Sequence, residues 1–341
     1  MPQGLLIRLR PTGPWRIGPD SGVRDRVDRV FHSDSLYSAV SSAMAQLGTA
    51  AAPSLLDEWL DSTARAEEPA VRFGSCFPYQ GDTLLVAPPR NLWPPQASSK
   101  VRWKGARFVP ISVVETLAAG RTLSEGAWAI DGESECLVPS RNPAVSGPFR
   151  VAVRSSAAVD RDGVSVTPHS TACLEFTPDS GLWTVAQFAD DAARDRWTGP
   201  LTAAFRLLAD SGIGGERSRG WGRSEMPQIT AGELPGLLLK HHNPEAENGY
   251  WLLSLFHPAE ADGVDWQQGD YVLTTRGGRV ESQAGWGDGK KLTRMVAEGS
   301  VLVASSAPRG QAADVAPDGF AHPVYRAGFA LTIPIPLKVT A

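Results

Sequence analysis

Apolar and polar positions alternate in "GLLIRLRP" (4–11), which predicts a strand ended by Pro11. "TGPWRIGPDSGVRDRVDR" follows as a loop, by its glycines, prolines and charges. In "HSDSLYSAVSSAMAQLG" the period changes to helical. Leu36, Val40, Ala43 and Leu47 share one face, Ser33 or Asp34 is placed to cap, and Gly48 to stop the helix. Residues 53–68, "PSLLDEWLDSTARAEE", predict a second, acidic helix. Residues 69–145 are proline-rich and irregular and read as an insertion. "PFRVAVRS" (148–155) and "ACLEFTPDSGLWTVAQF" (172–188) are strand-like, the second with a turn at "PDSG". "GPLTAAFRLLADSG" (199–212) predicts a helix and "SEMPQIT" a short strand. Residues 1–230 thus read β-α-(insertion)-β-β-α-loop-β, a ferredoxin-like (RRM-like) order. Beyond 236, "YWLLSLF", "DYVLTTR", "GSVLVASS" and "FALTIPI" predict the strands of a second domain. The expected class is α+β: two ferredoxin-like domains, 1–230 and 231–341, with a large insertion at about 69–145 in the first.

Composition narrows the partners. The chain has 341 residues, 42% hydrophobic and 21% charged, which suits a soluble globular protein with a real core. Its net charge of -4 excludes a whole-protein basic footprint. Nucleic acid must then bind through local patches, and acidic surface is left for a protein neighbour. One such patch is "RNLWPPQASSKVRWKGAR" (90–107), with five positive charges, no acid, and Trp93 and Trp103 interleaved. Lys100, Arg102 and Lys104 are its candidate contacts. Cys76, Cys136 and Cys173 form neither a C-x-x-C pair nor a disulfide framework, and read as reduced thiols of a cytoplasmic protein. No run approaches the ~20 apolar residues of a membrane span.

The densest signal is "GIGGERSRGWGR" (212–223), with five glycines, three arginines and a tryptophan. Glycine concentrates where φ is positive or where something approaches the backbone. Arginine adds a fork of donors that fits phosphate. The expected ligand is the phosphate backbone of a nucleic-acid strand, reaching main-chain N–H groups at Gly212, Gly214, Gly215 and Gly220 beside Arg217, Ser218, Arg219 and Arg223. On that reading the glycines make room for the ligand, and the fold survives Gly214→Val. No P-loop is present, G-x-G-x-x-G fails because Arg217 takes its third position, and no G-x-S-x-G occurs. The six histidines form no metal-ligand spacing. No cofactor, metal or acid/base constellation is expected, hence no catalysis. His32 and Ser33, just at the first helix, are weaker candidate contacts.

This loop after a helix resembles the signature of the RAMP superfamily, the repeat-associated proteins of CRISPR systems. "FHSDSLYSAV" (31–40) resembles the family's first-helix motif; "FVPISVVETLAAG" (108–120) and "DRDGVSVTP" (160–168) resemble its middle segments. "KKLTRMVAEGSVL" (290–302) and "HPVYRAGFALTIPI" (322–335) resemble the end of one subgroup, subunit four of the Csm-type (type III-A) effector complex. The resemblance implies binding of the repeat-derived 5′ handle of the crRNA, through the loop residues above. It also implies docking to the large polymerase-like subunit and to a backbone RAMP subunit, no catalysis in target cleavage, and a thumb hairpin placed within 69–145. The rival readings are a RAMP endoribonuclease using His32 or His169, a nucleotide-binding regulator, and the equivalent Cmr-type subunit.

Overall fold

The computed structural model describes residues 2–19, 22–48, 54–95, 101–140, 146–159, 166–240, 249–282 and 285–337. In chain order the first part contains β1 (Gln3–Leu9), α1 (Ser33–Leu47), α2 (Leu55–Ser62), β2 (Val71–Phe73), β3 (Phe77–Gln80), β4 (Thr83–Val86), β5 (Val109–Pro110), α3 (Ile111–Ala118), β6 (Trp128–Asp131) and β7 (Cys136–Pro139). It continues with β8 (Phe149–Val159), β9 (Val166–Phe176), β10 (Ser180–Phe188), α4 (Asp191–Ser211) and β11 (Gln228–Glu233).

Alternation in β1 puts Leu5, Ile7 and Leu9 on the buried face of the main sheet. β1 pairs antiparallel with β10 on one side and β11 on the other. β10 pairs on its far side with β2 and β3, and β4 and β5 extend that edge. Taken with α1 and α4, this is the expected β-α-β-β-α-β order, with antiparallel neighbours throughout. The second strand position differs from expectation. It is filled by 71–80, inside the stretch read as an insertion, and not by 148–155. Residues 148–155 belong instead to a separate hairpin, β8–β9, with eleven registered pairs. A continuous apolar run and a proline at 78 concealed β3, which is buried on both faces.

The helices cover one face of this sheet. Trp59 of α2 stacks on Tyr37 of α1 at 5.6 Å and meets Trp197 of α4 edge-on at 5.1 Å. Phe73 and Phe205 complete the cluster. α4 starts earlier than expected because Asp190 caps it, its carboxylate accepting from the Ala193 N–H at 2.7 Å.

The remainder contains β12 (Gly249–Leu252), β13 (Leu273–Arg276), β14 (Arg279–Ser282), β15 (Gly285–Gly289), β16 (Thr293–Val296), β17 (Val301–Leu302), β18 (Ala312–Asp314), β19 (Tyr325–Ala327) and β20 (Thr332–Ile335). They form a three-stranded sheet β17-β12-β20 and antiparallel pairs β13-β16, β14-β15 and β18-β19. All four strands read from the sequence in this part are present. No α-helix follows Ser211 among the described residues, so those residues draw a β-rich unit and not a second ferredoxin-like layer. Its Trp251, Leu253, Val301 and Ile333 join the core of the first unit.

Trp59→Ala should lower the unfolding free energy by about 3–5 kcal/mol, since it empties the centre of the aromatic cluster. Denaturant unfolding at constant m-value checks this; a loss under 1 kcal/mol would show that the cluster is peripheral.

Candidate nucleic-acid interface

α4 ends at Gly212, where φ is +89°. From there the loop folds back on itself and onto residues 14–16. The Ile213 N–H donates to the Gly222 carbonyl (3.0 Å), the Gly222 N–H to Pro14 (3.0 Å), and the Gly215 N–H to Arg16 (2.8 Å). Gly214, Gly220 and Gly222 also have positive φ. A β-carbon at Gly222 would sit 2.0 Å from the Ile213 carbonyl oxygen, and one at Gly214 would sit 2.3 Å from that of Arg16. Room at these positions is therefore taken by the protein's own backbone. This corrects the expectation that the glycines clear space for a ligand: of the four cradle N–H groups, those of Gly212, Gly215 and Gly220 already donate to Leu208, Arg16 and Arg217. Gly220 alone among the positive-φ glycines of the loop faces open space.

What the glycines produce is a shelf with a basic rim. Arg217–Arg219 form a 3₁₀ turn, and Arg217, Ser218, Arg219 and Arg223 are exposed. Arg219 pairs with Glu216 at 3.2 Å and lies 3.4 Å from Nε2 of His169 on β9. Arg154 of β8 lies over the Trp221 ring at 5.9 Å. Beneath, Arg16 is only 6% exposed, and its guanidinium donates to the carbonyls of Val23, Arg24, Arg26 and Ala172. The shelf is thus tied to the root of the β8–β9 hairpin.

The first-helix motif plays a different part from the one expected. His32 provides the N-cap backbone of α1, and neither Ser33 nor Asp34 caps it. The three side chains point into the second unit. Nδ1 of His32 donates to Glu298 (2.7 Å) and Nε2 to Asp28 (3.2 Å). The Ser33 hydroxyl accepts from the Leu255 N–H at 3.0 Å. Asp34 receives both Arg276, at 3.1 Å through two nitrogens, and Arg326 at 2.7 Å. His32 and Ser33 are thereby committed to the interior and are not free for RNA. Burial alone would depress the His32 pKa, but Glu298 and Asp28 outweigh it and hold it at about 10. The same contacts hold Asp28 and Glu298 below their ordinary values against the opposing effect of burial. Along the helix, Met44 takes the buried place expected for Leu47, which is 37% exposed.

The 90–107 stretch divides. Trp93 and Trp103 stack on each other at 5.5 Å inside the core, so they offer no platform to a base. Arg90 pairs with Asp270 and Arg107 with Asp28. Lys104 is exposed. Lys100 and the Arg102 side chain lie outside the described residues.

Sequence reasoning missed a cleft of about 250 Å³ at the junction of the two units. α1 and the loop wall one side, with Arg217; Arg276, Arg279, Lys290 and Arg326 wall the other. Asp34 is the one carboxylate among its described lining residues. Nothing local signals this site, because Asp34 and its partners are 242 and 292 residues apart.

Two outcomes follow. Gly222→Ala and Gly214→Val should lower the melting temperature markedly, and Gly220→Ala by about 1–2 kcal/mol of backbone strain only; equal melts for all three would refute the backbone account. The His32 ion pairs should make stability depend on pH with a definite sign. The raised His32 value stabilises fully below its ordinary 6.5 and is lost as pH climbs toward 10. The lowered carboxylates stabilise above their ordinary values of 3.8 and 4.5 and lose this as pH falls. Unfolding free energy should peak between about pH 4.5 and 6.5, and His32→Gln should flatten the alkaline limb; an unchanged limb would remove His32 as its cause.

Comparison with known proteins agrees with this architecture. Residues 245–335 match the family described as CRISPR Csm4 C-terminal domain. A protein of Thermococcus onnurineus (strain NA1) named CRISPR system Cms protein Csm4 is 23% identical, the alignment spanning 99% of this chain and 98% of that protein. The fold matches Csm4-containing crystal structures. For a Csm3-Csm4 subcomplex of the type III-A CRISPR-Cas interference complex the TM-score is 0.65, at 15% identity over 97% of this chain and 99% of that one. For a Csm1-Csm4 cassette in complex with cA4 it is 0.59, at 17% identity and full coverage of both chains. The matches run along the whole length: residues 245–335 carry the CRISPR Csm4 C-terminal domain, and the chain as a whole is similar to Csm4 proteins in sequence and fold.

Proposed function

We propose that this chain is the non-catalytic subunit of a type III-A interference complex that caps the 5′ repeat-derived handle of the crRNA. In this reading it joins the large polymerase-like subunit, Csm1, to the backbone RAMP subunit, Csm3. The observation that carries it is the basic rim of the glycine loop. Arg217, Ser218, Arg219 and Arg223 are exposed on a loop whose backbone is hydrogen-bonded within the chain, a rim whose side chains suit consecutive phosphates. The β8–β9 hairpin suits the thumb better than anything in 69–145. Its strands have eleven residues each, whereas those of the β3–β4 and β6–β7 hairpins have four. Its outer half, including Val153 and Val166, is exposed. The relatives solved with Csm1 and with Csm3 support the proposed docking.

The use of the histidines supports the non-catalytic reading. His32, the histidine of the first-helix motif, is charged and locked between two carboxylates, which unsuits it as a base at neutral pH. His169 stands beside Arg219 on the shelf, where an RNA contact accounts for it.

Purified from its native host, the full chain should carry a discrete small RNA and several protein partners. With handle RNA at constant salt, Arg217→Ala with Arg219→Ala should weaken binding about ten-fold or more, each lost contact contributing on the order of 1.5–3 kcal/mol. Wild-type affinity in that variant would overturn the rim as the binding surface. Incubation of the pure chain with precursor repeat RNA should leave it intact; specific cleavage abolished by His169→Ala would establish the nuclease reading.

A further inference from the structure

The main sheet ends in an edge that the described chain leaves open. We propose that this edge, β11, takes up an extended segment of a partner protein as an added strand, with alternate side chains of that segment entering a groove between β11 and α4. The proposal stands apart from the RNA reading. Thr198 of the groove and Gly212 of the glycine loop are separated by about 20 Å along α4, at 1.5 Å per residue.

Hydrogen-bond direction comes first. The Leu234 N–H donates to the Pro2 carbonyl (2.9 Å), and the register places Gly232, Thr230 and Gln228 opposite Gly4, Leu6 and Arg8. Main-chain groups alternate along a strand, so these three also face β1. The N–H and C=O groups of Ile229 and Ala231 then point the other way, out of the edge, together with the Glu233 N–H. No described residue bonds to the outward groups of Ile229 and Ala231. Natural edges are guarded by lysines, prolines or bulges. Gln228–Glu233 contains no lysine, arginine or proline, and its register with β1 runs without a bulge. Pro227 and Pro235 flank the stretch and confine an added strand to the length of β11. At the opposite end of the sheet β5 has only two residues, too few to pair in this way.

Shape and charge define the occupant. A cavity of about 510 Å³ lies beside the edge, floored by Gly4, Leu5, Phe188 and Ala231 and walled by Arg194 and Thr198 of α4. Ala231 lies opposite Leu5 and shares its face. Residues of an added strand that pair with Ile229 and Ala231 project onto that same face. Two of its side chains therefore enter the groove, and the residue between them points away. The floor is apolar, and Gly4 and Ala231 leave room for β-branched side chains. The surroundings are acidic. Arg194 pairs with both Asp191 and Asp195, while the exposed Asp190 and Glu233 lie two residues from Phe188 and Ala231. Lysine or arginine at the ends of the segment complements them. Main-chain bonds along an edge, with a groove for alternate side chains, are a recurring mode of peptide recognition.

The test uses the full-length chain and a labelled synthetic peptide of alternating valine and threonine with a lysine at each end. The wild type should bind it saturably. Hydrogen exchange of the Ile229, Ala231 and Glu233 amides, fast in the free chain, should slow on binding, while the Thr230 amide is protected in both states. Ala231→Pro removes an outward N–H and leaves the bonds to β1 intact, so it should weaken the peptide by about ten-fold or more, with its melt and its handle-RNA affinity preserved. If that variant melts early, Thr198→Trp fills the groove from the helix side and should give the same loss on an unaltered β11. Wild-type peptide affinity in both variants overturns the proposal and leaves the RNA reading standing, and so does a wild-type chain that does not bind the peptide. Three other outcomes also overturn the partner strand. Slow exchange at Ile229 and Ala231 in the free chain at every concentration would show that the chain covers its own edge. Slow exchange that grows with concentration would assign the edge to a second copy. Protection by handle RNA and not by the peptide would assign it to nucleic acid.

Discussion

Three consecutive side chains at the start of α1 hold the two units together, and the functional surfaces depend on that seam. His32 reaches Glu298, Ser33 reaches the backbone of Leu255, and Asp34 reaches Arg276 and Arg326. These groups are buried or half-buried, so leaving one unpaired costs about 1–3 kcal/mol. The cost enforces register: α1 can sit in one rotation against the second unit. With α1 so placed, its serine stripe faces Arg276 and Arg279, and its neighbour α4 delivers the glycine loop to the same edge. A motif that from sequence looks like a ligand-binding signature is, in three dimensions, the joint between the two units.

The glycine loop divides its work between residue types. Gly212, Gly214 and Gly222 satisfy positive φ and allow carbonyl oxygens to pack where a β-carbon would stand. The arginines between them point outward. Rigidity matters for affinity, because a side chain carried on a fixed backbone loses less freedom on binding than one on a mobile loop. Trp15 adds to that rigidity from below, its indole N–H donating to the Arg223 carbonyl at 3.0 Å.

Much of the first unit was legible in the sequence because its signals are local. The period of β1, the apolar face of α1 and the glycine stop of α4 are each contained in a dozen residues. The second strand of the sheet was not legible, since β2 and β3 are short, lie behind proline, and read as irregular chain. Trp93 and Trp103 were misread for a related reason. Interleaved with basic residues they looked like a stacking surface, but their mutual stacking is a tertiary event that no spacing announces. The loop arginines and glycines were visible as a group, and only their division of labour required coordinates. Arg16, Arg276, Arg279 and Lys290 were invisible as site residues, because their meaning comes entirely from contacts across the fold.

On the proposed RNA reading, a chain of net charge -4 must keep its acids away from the strand. The structure does this by pairing. Glu58 is held by Arg196, Glu68 by Arg72 and Arg309, and Glu175 by Arg150 and Arg154. Asp28 and Glu298 share the charged His32, and Arg107 also pairs with Asp28. Field from the remaining exposed carboxylates decays over roughly 8 Å at physiological ionic strength, so it does not reach across the molecule. Local arrangement, and not total charge, then decides what the seam attracts. At the seam, Asp34 is held by Arg276 and Arg326, and at the loop Glu216 is held by Arg219, so these acids too are paired.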